Sequence, residues 1–222
     1  MLSEASVHEL LEPFGVSLSG LQVAQILAYL ELLLRWNRRI NLTAIRSPEE
    51  CVTRHFGESL FLARVVRVGG RLLDIGSGAG FPGLALKIVA PDLVLTLLEP
   101  VAKKRAFLKE ASRVCGMTGV EVLGQRLDTL AEGGTLTRFD LATARAVGDF
   151  GTLIPDAVKC LKPNGKLCLW LGTGQTGAIR SGAVGITWDE PVAIPLSRQR
   201  VILIGTRHGS RPAPETSPHL FS

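Results

Sequence analysis

Apolar residues follow two different rhythms along this chain. Over roughly the first 70 positions they recur at helical spacing. Val23, Ile26, Leu27, Leu30 and Leu34 mark one stripe, which leaves Gln22, Gln25 and Arg35 on the outward side. Ser19 with Gln22 has the form of a capping box that opens this helix. Ser47-Pro48 starts a further helix that runs through His55 toward Val66, and Gly69-Gly70 ends it. From Arg71 onward, short apolar runs alternate with helical stretches. Arg71 to Ile75, Leu93 to Leu98, Gly119 to Leu123, Phe139 to Thr143 and Lys166 to Leu171 read as strands. Gly83 to Val89, Ala102 to Cys115 and Phe150 to Cys160 read as helices between them. Ile186 to Ile194 and Gln199 to Gly205 close the sheet as an antiparallel edge, giving seven strands in all.

Repeated β-α units imply an α/β fold, a doubly wound, mostly parallel sheet with helices on both faces. The expected organisation is a helical extension over residues 1–70, a sheet core over 71–206 and a flexible Pro- and Ser-rich tail over 207–222. Ligands of such sheets sit at the carboxyl ends of the strands.

Composition narrows the class. The chain has 222 residues, 46% of them hydrophobic but only 5% aromatic, so aliphatic side chains must fill the core. No apolar run reaches the roughly 20 residues that span a bilayer. Met1-Leu2-Ser3-Glu4 lacks the charge-then-apolar pattern of a signal peptide, so a soluble cytoplasmic protein without a membrane partner is expected. Cys51, Cys115, Cys160 and Cys168 form no zinc spacing; they read as reduced core thiols, and no metal is expected. The net charge of +5 gathers in Arg35/Arg38/Arg39, Arg64/Arg67/Arg71 and Lys103/Lys104/Arg105/Lys109/Arg113. That balance favours a polyanionic partner, although such runs are also ordinary solvated surface.

The strongest local signal runs from Asp74 to Gly83, Asp-Ile-Gly-Ser-Gly-Ala-Gly-Phe-Pro-Gly, after one strand and before one helix. Glycines there let the backbone turn sharply and approach a ligand. Two ligands fit the pattern. Gly78, Gly80 and Gly83 match the dinucleotide fingerprint, with Glu99 about 20 residues on for the ribose hydroxyls. S-adenosylmethionine also has a ribose for Glu99. It carries no phosphate, and its cationic end favours a carboxylate such as Asp74. The first glycine, Gly76, directly after the strand suits the methyl donor better.

The end of the fourth strand reads Thr143-Ala144-Arg145-Ala146. It lacks the polar, proline-rich motif that grips an exocyclic amine. No cysteine stands beside proline as methylation of pyrimidine C5 requires. A ring nitrogen such as guanine N7 remains; it carries a lone pair and no proton. It attacks a methyl sulfonium without a general base, so no catalytic base is expected. Catalysis then rests on proximity and in-line orientation. Arg145 is placed to anchor the cofactor or a phosphate.

Several blocks in order resemble a known family. They are Trp36-Asn37 with Ile40-Asn41-Leu42-Thr43, Arg54-His55 with Glu58-Ser59, the Asp74 to Gly83 loop, Lys103-Lys104 with Phe107-Leu108, and Arg145-Ala146. The chain resembles the glucose-inhibited division protein B family, bacterial small-subunit ribosomal RNA guanine-N7 methyltransferases, from about residue 30 to about 205. The resemblance implies a class I methyltransferase sheet, S-adenosylmethionine as cofactor and small-subunit ribosomal RNA as partner, free or within the assembled subunit. It implies that Gly76, Gly78 and Phe81 line the methyl-donor pocket, that Glu99 holds the ribose, that Leu127 and Asp128 flank the adenine, and that Arg145 reaches the cofactor or the guanine. Glu58 stands where the family usually has Asp, and Leu171-Gly172 where it often has Lys-Gly.

The plainer readings stay beside these. Trp36 anchors the first long helix on the sheet, Asn41 and Thr43 cap a turn, and His55 is a hydrogen-bonded structural residue. A methyltransferase for a small molecule or protein and a nicotinamide-dependent oxidoreductase remain the alternative functions.

Overall fold

The computed structural model describes residues 2–133, 138–146, 148–182 and 185–209. Most of the expected tail, residues 210–222, lies outside them. Among them no helix is long and apolar enough to cross a membrane. The extension contains α1 (Glu4–Leu11), α2 (Gly20–Asn37), α3 (Pro48–Cys51), a π-helical turn (Val52–Gly57), α4 (Glu58–Leu60) and α5 (Leu62–Val65). The sheet follows, with β1 (Arg71–Ile75), α6 (Gly83–Val89), β2 (Val94–Leu98), α7 (Ala102–Val114), β3 (Val120–Leu123), α8 (Leu127–Glu132) and β4 (Phe139–Arg145). It ends with α9 (Phe150–Cys160), β5 (Leu161–Gly172), α10 (Thr176–Gly182), β6 (Ile186–Trp188), β7 (Val192–Ala193) and β8 (Arg200–Arg207).

The strands order as β3-β2-β1-β4-β5-β8-β6, with β7 also on β8. From β3 to β5 every pairing is parallel, and β8 is antiparallel to β5. The seventh position, expected as one strand over 186–194, is split. β6 pairs with the end of β8 and β7 with its start. Alternation along the buried strands sends Leu72, Leu141, Cys168 and Ile202 to the face covered by the extension, α6 and α7. Their neighbours Leu73, Ala142, Leu169 and Leu203 go to the face covered by α9 and α10. All four cysteines are buried and unpaired.

The buried stripe of α2 is Val23, Ile26, Tyr29, Leu30, Leu32 and Leu33, while Leu27 and Leu34 are only half-buried. The capping box at Ser19 and Gln22 is present. Gln22 and Gln25 do not face out. Their side-chain amides donate to the carbonyls of Ile88 and Cys115, at the carboxyl ends of α6 and α7. Helix ends leave such carbonyls without internal partners, which explains the inward turn. The helix expected from Pro48 to Val66 is interrupted by the π-helical turn, which carries Arg54 and His55.

One carboxylate ties the extension to the far end of the sheet. Glu58, 1% exposed, accepts from Arg145 at the end of β4 (3.1 Å) and from Arg200 at the start of β8 (2.6 Å). Its backbone carbonyl accepts from the Trp170 indole at 3.1 Å. A carboxylate buried between two guanidiniums is hard to replace, because removing it leaves like charges facing each other. Glu58→Gln is therefore expected to lower unfolding free energy by about 2–3 kcal/mol. That is the low side of the usual range, because the Arg200 side chain is 35% exposed. Urea denaturation at neutral pH measures it.

Candidate functional site

The glycine loop leaves β1 at its carboxyl end, between β2 and β4. Gly76, Gly78 and Gly80 all take positive φ, at 68°, 55° and 84°. A Cβ on Gly80 would come within 2.2 Å of the Tyr29 hydroxyl and 2.7 Å of Leu84, so only glycine fits. The Tyr29 hydroxyl donates to the Ala79 carbonyl, and its ring stacks on Phe81 at 5.3 Å with 5° between planes. His55 stacks on Phe81 as well, at 4.8 Å and 14°. Phe56 meets both Tyr29 and Phe81 edge-on. Phe81 is thus 6% exposed within an aromatic cluster supplied by the extension.

Glu99, one residue beyond β2, is buried. Its carboxylate accepts from the amides of Gly78 and Val101, both at 2.9 Å, and so joins the glycine loop to the turn before α7. Each oxygen keeps a further lone pair for another donor. Leu127 and Asp128 open α8 after β3, the strand beside β2. Both are half-buried, and Asp128 is engaged with Arg126 Nε and the Thr129 amide. Arg145 ends β4 beside β1 and turns toward the extension. It donates to the Arg54 carbonyl at 2.7 Å and to Glu58, while Ala146 takes φ 54° to leave the strand.

Asp74 lies under the loop, fully buried. Oδ1 accepts from the Thr143 hydroxyl at 2.8 Å, and Oδ2 has no hydrogen-bond partner among the described residues. Burial pushes its pKa up to about 6, against the hydrogen bond from Thr143. His55 goes the other way. Burial, with the charges of Arg145 and Arg54, drives its pKa down to about 3. Its Nε2 meets the Thr43 hydroxyl at 2.8 Å.

The blocks of the extension form one relay. Asn37 accepts from the amides of Leu42 and Thr43 and donates to the Thr43 carbonyl. Thr43 then holds His55, and His55 stacks on Phe81. Trp36 anchors α2 on α7 rather than on the sheet; its ring meets Phe107 edge-on and its Nε1 donates to Glu110. Sequence reasoning did not single out Tyr29 as a support of the loop. Its signal was a lone tyrosine on an otherwise aliphatic stripe. Arg200 was missed too, because nothing local marks the start of β8 as part of a site. Leu171 is buried against the α9–α10 layer and offers no polar contact.

These pKa shifts give opposite pH dependences. Folded His55 stays neutral while the unfolded ring binds a proton below its ordinary value of 6.5, so stability falls as pH drops from about 6.5 toward 3. Folded Asp74 keeps a proton that the unfolded chain releases between 3.8 and about 6, so stability rises as pH falls through that window. His55→Gln is expected to remove an acid-side loss of at most about 1.4 kcal/mol per pH unit. Denaturation of both proteins between neutral pH and pH 4 reads the difference.

Comparison with known proteins fits this geometry. The family described as rRNA small subunit methyltransferase G matches residues 22–189. Proteins named Ribosomal RNA small subunit methyltransferase G are similar in two bacteria among others. That of Chloroflexus aggregans is 36% identical over 220 residues, covering 95% of this chain and 92% of the relative. That of Geobacter sp. strain M21 is 42% identical over 158 residues, covering 71% and 72%. Among solved structures, the fold is similar to a putative O-methyltransferase from Klebsiella pneumoniae, with TM-score 0.59, 18% identity and coverage of 82% and 90%. It is also similar to a ribosomal protein L11 methylase from Lactobacillus delbrueckii subsp. bulgaricus, with TM-score 0.58, 16% identity and coverage of 70% and 79%. The class I methyltransferase sheet, the matched blocks and these relatives agree, and the chain belongs to the rRNA small subunit methyltransferase G family.

Proposed function

We propose that this protein transfers a methyl group from S-adenosylmethionine to N7 of a guanine in small-subunit ribosomal RNA, in line and without a general base. The observation that supports this reading most is the glycine turn set between two buried carboxylates, Asp74 and Glu99. A carboxylate directly before the glycines suits a cationic donor rather than a pyrophosphate. Family membership disfavours the nicotinamide reading and any substrate other than RNA.

When bound, S-adenosylmethionine supplies an electrophilic methyl group on a sulfonium. Glu99 holds the ribose hydroxyls, Gly76 and Gly78 line the donor, and Leu127 and Asp128 flank the adenine. Phe81, packed by Tyr29 and His55, fixes the loop from behind. Arg145, held by Glu58, orients the donor or the target nucleotide. The N7 lone pair forms the new N–C bond as the C–S bond breaks, and the positive charge passes from sulfur to the purine. No proton moves, which agrees with a site whose one histidine, His55, is stacked and depressed in pKa.

Labelled S-adenosylmethionine with small subunits lacking the modification, followed by digestion and mass spectrometry, tests the reading. We expect 7-methylguanosine, and at least about a tenfold loss in Arg145→Ala, as for removal of a charge-assisted contact. Donor binding without any label in RNA would overturn it. Donor affinity should also fall below about pH 6 as Asp74 takes up a proton, by at most about tenfold per pH unit. Calorimetry of Asp74→Asn should show weaker binding with that pH dependence gone.

A further inference from the structure

A pocket opens where the extension meets the helix that follows β2. It lies between the carboxyl end of α2 and the first turns of α7, with a volume of about 300 Å³, and is lined by Arg35, Trp36, Arg39, Ile40, Lys103 and Ala106. Its place is set by the donor site. Arg105, on the same turn as Lys103, donates to the carbonyls of Glu99 and Pro100, so the α7 start is pinned to the turn carrying Glu99. On the other wall, Trp36 precedes Asn37, whose relay through Thr43 and His55 reaches Phe81.

The lining has a distinct chemistry. Three cationic side chains surround a half-buried indole and two apolar groups. Among the described residues, the one acid bonded to this lining is Glu110, already shared between Arg35 at 3.3 Å and Trp36 at 3.1 Å. Arg39 and Lys103 are exposed, and their side chains form no ion pair or hydrogen bond among the described residues. Unpaired cations beside an aromatic wall match the needs of a single-stranded nucleotide. The base contacts the indole and apolar floor while the phosphate meets the cations. An acidic peptide would use the cations but leave the apolar floor without a partner.

We propose that this pocket takes a second nucleotide of the RNA strand whose guanine enters the methyl-donor site, with Arg39 and Lys103 on its phosphate and Trp36 and Ile40 against its base. The inference rests on the RNA reading above and adds a second contact point, which fixes the strand's position relative to the reacting base.

The test uses the full chain, S-adenosylmethionine, and small subunits lacking the modification. Arg39→Ala/Lys103→Ala removes both free cations without breaking a described contact. Its donor affinity, measured by calorimetry, serves as the folding control and should match the parent. We expect KM for subunits to rise about tenfold with kcat within about twofold. The slope of log affinity against log salt should become shallower by about 0.7, as for loss of one neutralised phosphate on a single strand. A short oligoribonucleotide should quench tryptophan fluorescence in the parent and not in Trp36→Phe. If the parent methylates subunits and the double variant shows the same KM and salt slope, the second pocket is overturned and the RNA reading stands. If the parent binds donor but labels no RNA, the RNA reading falls and takes this proposal with it.

Discussion

A backbone that turns through three left-handed glycines exposes its own amides and carbonyls, and each buried one needs a partner. Two side chains, one from the extension and one from the sheet, meet that demand. Tyr29 donates to the Ala79 carbonyl, and Glu99 accepts from the Gly78 amide. Gly80 has no room for a side chain because the Tyr29 hydroxyl occupies that space. The loop therefore does not hold its shape alone. The extension supplies the tyrosine, the histidine and Phe56, and so builds one wall of the site as well as covering the sheet.

Electrostatics repeats that division. Asp74 sits under the loop without a cation hydrogen-bonded to it, while Arg145 and Arg200 converge on Glu58. His55 stays neutral because it is buried, and because a proton there would also add to the charges of Arg145 and Arg54.

Much of this was legible in the sequence, for identifiable reasons. Strands buried on both faces show as short aliphatic runs, and β1, α6 and α9 begin and end where the pattern puts them. The glycine loop and Glu99 were legible because their constraints are local or have fixed spacing. The split of the last edge strand was not, since a two-residue strand carries no periodicity. The inward turn of Gln22 and Gln25 was hidden because polar residues read as outward unless the helix ends they serve are known. Arg200 was invisible for a topological reason. β8 runs against its neighbours, so its first residue, not its last, stands at the carboxyl ends of the parallel strands.

That reversed strand also bears on how the chain reaches its folded state. The Arg200–Glu58 contact closes over 142 positions of sequence. Long closures form late, once shorter ones have reduced their entropic cost. During synthesis the extension and the first strands emerge long before residue 200, so Glu58 waits with only one of its two cations. The Glu58 contact pair is complete only once residue 200 has emerged. A fragment ending before β8 retains the glycine signature and yet lacks the clamp that sets Arg145.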